Sequence, residues 1–452
     1  MISRFFQIGC VLVLMSCTTG QTTHVTSVAP EPRLFYPYEH SSGCRSCHDH
    51  IYRQYETSEH AQAFTNPLFQ AQYFKEVVPR ALREPAFRKE ARRCIACHAP
   101  VVFMNNTGLL QTAAETRALE TGVSCDFCHT LAGYLPNGDY QQNRSGKKQG
   151  PLMVNNHHSE YSGWYEISEF CGPCHNASNQ QGVPVKATFS EWKASSFAAE
   201  RITCQECHMS RQGFLKDRHG EYEKGAAAHL NFIGFGDRNM ARSDYAKLYS
   251  HNFPGAHNNT QLEGAIRLEI RGEGRLDAGG RMPFSIAVNN QRAGHRMPSG
   301  SSDLRFMWLQ VSVSDSSGRP VPFRLAADSP GNPDYGVSGR APNDRTLLGP
   351  HIPDATRLYR AVFNNHSGVP VHSFYDAASL AFDNRLNAGE VRDEPYLIET
   401  TAGFKGPFLI SAQLFYQSAP ASFTARLGLP GVAPVAVATA ARTVPPAPSA
   451  QP

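Results

Sequence analysis

Five copies of Cys-x-x-Cys-His dominate this chain: Cys44/Cys47/His48, Cys94/Cys97/His98, Cys125/Cys128/His129, Cys171/Cys174/His175 and Cys204/Cys207/His208. They take up every cysteine beyond residue 17. In this motif two thiols form thioether bonds to porphyrin vinyl groups and the adjoining histidine becomes an iron ligand, so the sequence predicts five covalently bound haems of the c type. Structural zinc needs four ligands from two cooperating pairs and gives no reason for a histidine directly after each second cysteine. Disulfides between cysteines three apart are strained, and a disulfide scaffold scatters its cysteines instead of repeating one pentapeptide. A thioredoxin-like pair occurs once per domain on a βαβ unit, a pattern missing around these sites.

Met1 to Ser16 read as an export signal, with Arg4 near the start and Phe5 through Met15 almost unbroken by polar residues. The stretch is too short to span a membrane stably. Leu14-Met15-Ser16-Cys17 fits the bacterial lipoprotein cleavage box, in which Cys17 would be lipid-modified and become the mature N-terminus. The competing reading is an ordinary cleaved signal with Cys17 incidental. Both predict export to the periplasm or cell surface, where c-type haem is attached in bacteria. Residues 18–33, rich in Thr, Ser and Pro, read as a flexible tether. No segment between the two ends is apolar enough to cross a bilayer.

The formal charge of +4 turns negative once each haem adds two propionates against one net positive charge at a ferric bis-histidine centre. Nucleic-acid binding therefore has no support, and scattered Arg and Lys read as propionate partners and solvated surface.

Two regions of different physics follow, and together they predict an α+β fold. Residues 34–260 hold all five motifs, roughly one per 45 residues, which leaves too few apolar side chains for a conventional core. This haem domain is expected to wrap packed porphyrins with short helices and long, irregular connections. Leu68 to Arg93 is its best helical stretch, with Pro79 and Pro85 breaking it into pieces. Residues 261–429 change to short alternating runs such as Ala265 to Ile270, Phe284 to Val288, Phe306 to Val313 and Phe408 to Tyr416, separated by turns such as Asp315-Ser-Ser-Gly318. They predict an antiparallel β-sandwich-like domain. Residues 430–452, rich in Ala, Val and Pro, read as a loose tail whose first part could still form a last strand.

Each motif supplies half a site, since the sixth iron ligand must come from elsewhere and decides whether small molecules reach the metal. Of 19 histidines, 14 lie outside the motifs. Methionines such as Met104, Met153, Met209 and Met240 are outnumbered, and Met209 follows His208 too closely to reach around its haem. His24 lies in the tether. His40 and His50 flank the first motif and read as surface or propionate contacts. His351, His366 and His372 are lone loop histidines, which are ordinarily solvated.

Several local patterns carry a resemblance. Cys44-Arg-Ser-Cys-His48 followed by Ile51-Tyr52, Tyr55, Ser58 and His60-Ala61 resembles the opening of the cytochrome c-552/4-type multihaem proteins. Thr188-Phe-Ser-Glu-Trp192, Ser195 and Cys204-Gln-Glu-Cys-His208-Met209 resemble the approach to the last haem in these proteins. Ser250-His251-Asn252-Phe253-Pro254-Gly255 is similar to their His-x-Phe-x-Gly element. Asn290, Gly294-His295 and Pro298-Ser299-Gly300 resemble the element that opens a β-rich C-terminal domain in many multihaem cytochromes. The resemblance covers most of residues 40–320. It implies distal ligation by His60, His251 and His295, with His60 serving a haem other than its neighbour, and by one of His157 and His158, of which His158 is preferred. For the fifth distal position His257, His229, His219 and His157 stay open, as does a haem without a sixth ligand.

The expected function is electron transfer between membrane or periplasmic redox proteins, further multihaem cytochromes among them, through mostly bis-histidine haems on a lipid-anchored chain. The alternative is an oxidoreductase with one open haem acting on a small nitrogen or sulfur compound. No Cys-x-x-Cys-Lys site, the usual mark of the catalytic haem in pentahaem nitrite reductase, is present. A third reading makes the sandwich a module that docks a partner, with the haems serving it.

Overall fold

The computed structural model describes residues 37–106, 108–116, 119–135, 140–151, 159–209, 249–256, 259–272, 276–277, 279–325, 348–353, 356–400, 404 and 406–445. The motif-bearing region is built of short helices: α1 (Ser41–Glu56), α2 (Pro67–Gln72), α3 (Val78–Arg83), α4 (Arg88–His98), α5 (Pro100–Asn105), α6 (Cys125–His129), α7 (Gly172–His175), α8 (Thr188–Lys193), α9 (Ser196–Ala199) and α10 (Cys204–His208). Caps start two of the shortest. Ser124 accepts the Phe127 N–H at the head of α6, and Thr203 forms a reciprocal capping box with Glu206 at the head of α10. Two small ribbons, β1 (Leu131–Tyr134) with β2 (Tyr140–Gln142) and β3 (Lys148–Gly150) with β4 (Ser159–Tyr161), lie between the third and fourth motifs.

Pro79 does not break its helix. A π-turn over Tyr73–Val77, closed by the Val78 N–H on the Tyr73 carbonyl, joins α2 to α3 with Pro79 in the first turn of α3. The wider turn accommodates a residue that lacks an N–H and would crowd the preceding carbonyls of a regular α-helix. The break comes later, at Glu84 and Pro85, where Glu84 adopts an extended conformation.

The sandwich pairs two antiparallel sheets. One runs β5 (Arg267–Arg271), β6 (Arg281–Asn289), β12 (Val391–Glu399), β8 (Phe323–Leu325) across its width. The other runs β10 (Pro370–Val371), β9 (Arg357–Asn364), β7 (Phe306–Ser314), β13 (Phe408–Gln417), β14 (Val435–Val444), with β11 (Ser379–Asp383) also on β9. Met282, Phe284, Ile286 and Val288 on β6 meet Met307, Leu309, Ile410 and Leu414 from the facing sheet, the alternation that a two-layer core demands. The Asp315–Gly318 turn closes locally, with the Asp315 N–H on the Arg319 carbonyl at 2.9 Å. The chain then leaves β7's sheet, because β8 pairs with β12.

The expected tail from residue 430 needs correction. Val435–Val444 is a full edge strand, paired with β13 from Phe408 to Tyr416. Its small, β-branched and alanine residues hide the alternation, while Val437 and Val444 enter the core. The motif region and the sandwich belong to one compact unit, Tyr36–Pro452. Among the described residues no helix is long and apolar enough to cross a membrane.

Candidate metal centres

Each motif forms about one helical turn. Four of them end their helices: His98 closes α4, His129 α6, His175 α7 and His208 α10. In α1 the helix kinks at His48, which has φ −113° and ψ 41°. Cysteines three apart on a helix share one face, so both thiols can meet one porphyrin edge while the histidine projects from the frayed end.

Three motif histidines face a second histidine ring. His175 stands opposite His60 with ring centres 6.2 Å apart, His129 opposite His251 at 6.3 Å, and His208 opposite His295 at 6.2 Å. Two metal–nitrogen bonds of about 2 Å, plus about 1.1 Å from each nitrogen to its ring centre, give a separation of about 6.2 Å. The pairs thus have the spacing of two imidazoles sharing one iron. Nδ1 of His98, His129 and His295 is bonded to the carbonyls of Ala63, Gln149 and Arg296, at 2.7, 2.7 and 2.8 Å. A carbonyl only accepts, so Nδ1 carries the proton and Nε2 keeps the lone pair a metal needs. Burial holds these imidazoles neutral: it pushes His60, His208 and His251 down to about 3, and His98 and His175 to about 4. Haem therefore fits these residues in spacing, tautomer and charge. Among the described residues no three His, Cys, Asp or Glu gather as a bare metal ion would require.

The supports of the non-motif histidines come from distant segments. The His251 N–H donates to Gln54 Oε1 in α1 at 2.8 Å. Phe253, at φ +32°, accepts the Glu59 N–H at 3.0 Å and lays its ring 4.2 Å from His60. The Val123 N–H donates to the His60 carbonyl at 2.8 Å, and the backbone of Gly122 lies against Ala61, where a Cβ would collide with the Ala61 carbonyl. Asn290, fully buried, donates to the carbonyls of His295 at 3.0 Å and Asn387 at 2.9 Å, which fixes the loop carrying His295. Ser299 donates to Glu191 on α8 at 2.6 Å, and the Gly300 N–H donates to Thr188 at 3.0 Å. The Thr188-to-Trp192 and Pro298-to-Gly300 elements are thus two sides of one contact.

The motifs also meet one another. Cysteines of different motifs are neighbours: Cys44 and Cys125 of the first and third, Cys97 and Cys174 of the second and fourth, and Cys171 and Cys204 of the fourth and fifth. Ser41 accepts the Cys125 N–H, and Ser168 accepts the Cys204 N–H, each at 3.0 Å. Both serines stand three residues before the first cysteine of their own motif, a repeat visible in the sequence that carries no meaning until the partners are known. Tyr140 bridges the second and fourth motifs, donating to the Ala96 carbonyl beside the Cys174 sulfur.

The sequence treats the ten attachment cysteines alike. Six of them, Cys44, Cys97, Cys125, Cys171, Cys174 and Cys204, neighbour a cysteine of another motif. Cys47 stands in α1 one residue before the kink at His48, its side chain lying outside the described ones, and Cys207 is half-buried one residue before the end of α10. For all ten the assignment to haem rests on their place in the motif, since thioether attachment takes both thiols of each pair.

Other histidines fall elsewhere. His40 caps α1 through Ser42, His351 bonds Gln417 at 2.9 Å, and His366 is exposed. Phe69 stacks on His98 with ring centres 3.9 Å apart, and among the described residues no second histidine ring faces His98. Cys17, His157, His158, His219, His229 and His257 lie outside the described residues.

Residues 43–130, which hold the first three motifs, match the family described as Cytochrome c554 and c-prime. No curated protein matches the sequence. Among solved structures the chain is similar to a penta-heme cytochrome c552 from Thermochromatium tepidum, with a TM-score of 0.60 and 21% identity over 90% of this chain and 99% of that one.

Proposed function

We propose that this multihaem c-type cytochrome carries electrons through five covalently attached haems, most of them closed by a histidine on each side. The observation that carries the reading is the set of three histidine pairs at 6.2–6.3 Å, formed by His60, His251 and His295 with motif histidines of other segments. Bound haem supplies a one-electron centre. The chain's contribution is to hold both axial imidazoles, which keeps small molecules off the metal and limits rearrangement between redox states. The neighbouring cysteines link first to third, second to fourth and fourth to fifth motifs. Tyr165, whose hydroxyl donates to the Cys128 carbonyl at 2.6 Å, packs on Phe170 just before Cys171, so the third motif lies beside the fourth. The fourth haem is then a junction rather than one link of a linear wire. The export pattern before Cys17 supports a periplasmic or surface protein, lipid-anchored at Cys17, between a redox-protein donor and a redox-protein acceptor such as a further multihaem cytochrome. One of His157 and His158, with His158 preferred, is assigned as a fourth distal ligand on the family resemblance alone.

A second reading, an oxidoreductase acting on a small nitrogen or sulfur compound, requires one haem to be left without a sixth ligand. Electron paramagnetic resonance of the purified ferric protein separates the two. A pure carrier gives only low-spin signals, whereas a high-spin signal from about one haem in five that shifts on adding cyanide overturns closure and supports the open haem.

A further inference from the structure

Beside the second motif lies a group of polar side chains that the axial ligands do not account for. Asp303, in the turn after the His295 loop, is 6% exposed, and its Oδ1 has no hydrogen-bond partner. A buried carboxylate left in this way is costly unless it binds a proton. Lys186 comes from the arm between α7 and α8. It donates to Ser301 Oγ at 2.8 Å and lies 5.1 Å from the centre of the Phe374 ring. His372, which the sequence sets aside as a solvated loop residue, donates from Nδ1 to the Asp303 carbonyl at 3.0 Å. Phe374 packs in the same apolar cluster as Cys94 and Ile95 of α4. The charge of Lys186 is felt at Asp303 and also at Cys94, Cys97 and His98. One cation thus links the buried acid to the second haem site.

We infer that Asp303 is a proton-binding site coupled to the redox state of the second haem, with Lys186 between them. The step is one electron and one proton: with haem held at the second motif, one electron from a redox partner would lower the charge of that site by one, and the Asp303 carboxylate would take one proton from a solvent hydronium ion, leaving water and the neutral acid. Burial already raises the Asp303 carboxyl to about 6, against the opposing charges of Lys186 and Arg305 and the N–H of Phe374. The charged and titratable groups around it are Lys186 on the arm, Arg305 on its own turn and His372 on the 371–376 strip. Glu90 and Arg93 stand on α4, where burial raises the Glu90 carboxyl while the Arg93 guanidinium, 3.5 Å away, and the Gln180 N–H oppose the rise. Reduction removes one positive charge from the iron. Losing a positive charge nearby raises the proton affinity of a carboxylate. Asp303 therefore titrates at higher pH in the reduced protein than in the oxidised one, and between the two values the potential falls as pH rises.

The inference rests on haem being attached at the second motif, which the absorption spectrum and mass of the purified protein establish independently. The test is a spectroelectrochemical titration of the full haem-loaded chain from pH 5 to 8, with reduced-minus-oxidised infrared difference spectra. One haem's midpoint is expected to fall with pH near neutrality, by up to about 59 mV per tenfold change in proton concentration. A protonated-carboxyl band is expected to appear on reduction. Asp303→Asn should remove both the slope and the band, while Glu90→Gln should leave both. If Asp303→Asn fails to accumulate, Lys186→Met should shift the sloping window to higher pH. A slope and band that persist in Asp303→Asn, disappear in Glu90→Gln, stay at the same pH in Lys186→Met, or are missing from the unaltered protein overturn the inference.

Discussion

At Gly122 the chain runs so close to Ala61 that no side chain fits, and its φ of +78° is in any case a glycine conformation. Gly146 has nearly the same φ, +77°, but open space around the missing Cβ. Alanine at either position meets the left-handed penalty of about 1 kcal/mol, and only at Gly122 must the Ala61 carbonyl also move. His60 precedes that carbonyl and accepts the Val123 N–H, so the displacement reaches its ring. Gly122→Ala is expected to disturb the His60–His175 pair, turning one low-spin signal high-spin or shifting its g-values, whereas Gly146→Ala lowers the melting temperature slightly with an unchanged spectrum. Equal spectra for the two variants would mean that His60 is held by other contacts. The motifs are legible in the sequence, and His60, His251, His295 and Asn290 stand out because each sits in a local pattern that resembles a family element. Gly122 and Gln54 do not, since what they do depends on a segment tens to nearly two hundred residues away.

Elements were legible where one face is strongly apolar. β6 and β13 alternate buried residues with more exposed ones, β7 does so only after the run Phe306–Leu309, which is buried on both faces, and the sequence marks all three within a few residues of their observed ends. β14 escapes because its run Ala436-Val-Ala-Thr-Ala-Ala441 has little side chain to alternate; its strand character comes from pairing with β13. Pro79 misleads in the opposite sense, since local rules contain no π-turn to receive it. The edge strand can be tested directly. Val437 points into the core at 7% exposure while Thr439 is exposed. Val437→Asp buries a charge among Val, Ile and Leu side chains and is expected to cost at least about 2 kcal/mol. Thr439→Asp should stay within about 0.5 kcal/mol of the parent. Thermal unfolding followed by far-ultraviolet circular dichroism measures both, and a silent Val437→Asp would restore the loose tail.

Across the whole molecule, the haem region and the sandwich are held together by a buried ionic junction. Arg385, 6% exposed at its side chain, donates to Glu191 on α8 at 2.8 Å and to Asp383 at 2.8 and 3.0 Å. Glu191 also receives Ser299. If His295 ligates the haem of the fifth motif, a coordination bond crosses the same boundary, and the two halves should unfold together. Soret absorbance reports one half and, with Trp164 and Trp192 of the haem region replaced by Phe, fluorescence of Trp308, buried in the sandwich, reports the other. In the parent the two curves should coincide, as a single cooperative transition requires. Arg385→Met leaves Glu191 without its cation and Asp383 with Arg296 alone, and breaking such a buried cluster costs about 3–5 kcal/mol. The denaturant midpoint should fall and the two curves separate, with the sandwich melting first. Glu191→Gln combined with Arg385→Met should cost less than the sum of the single changes by about 0.5–3 kcal/mol, because the two side chains share one interaction. Strict additivity, or curves that still coincide in Arg385→Met, would assign the coupling to the His295 loop alone, and His295→Ala should then separate them.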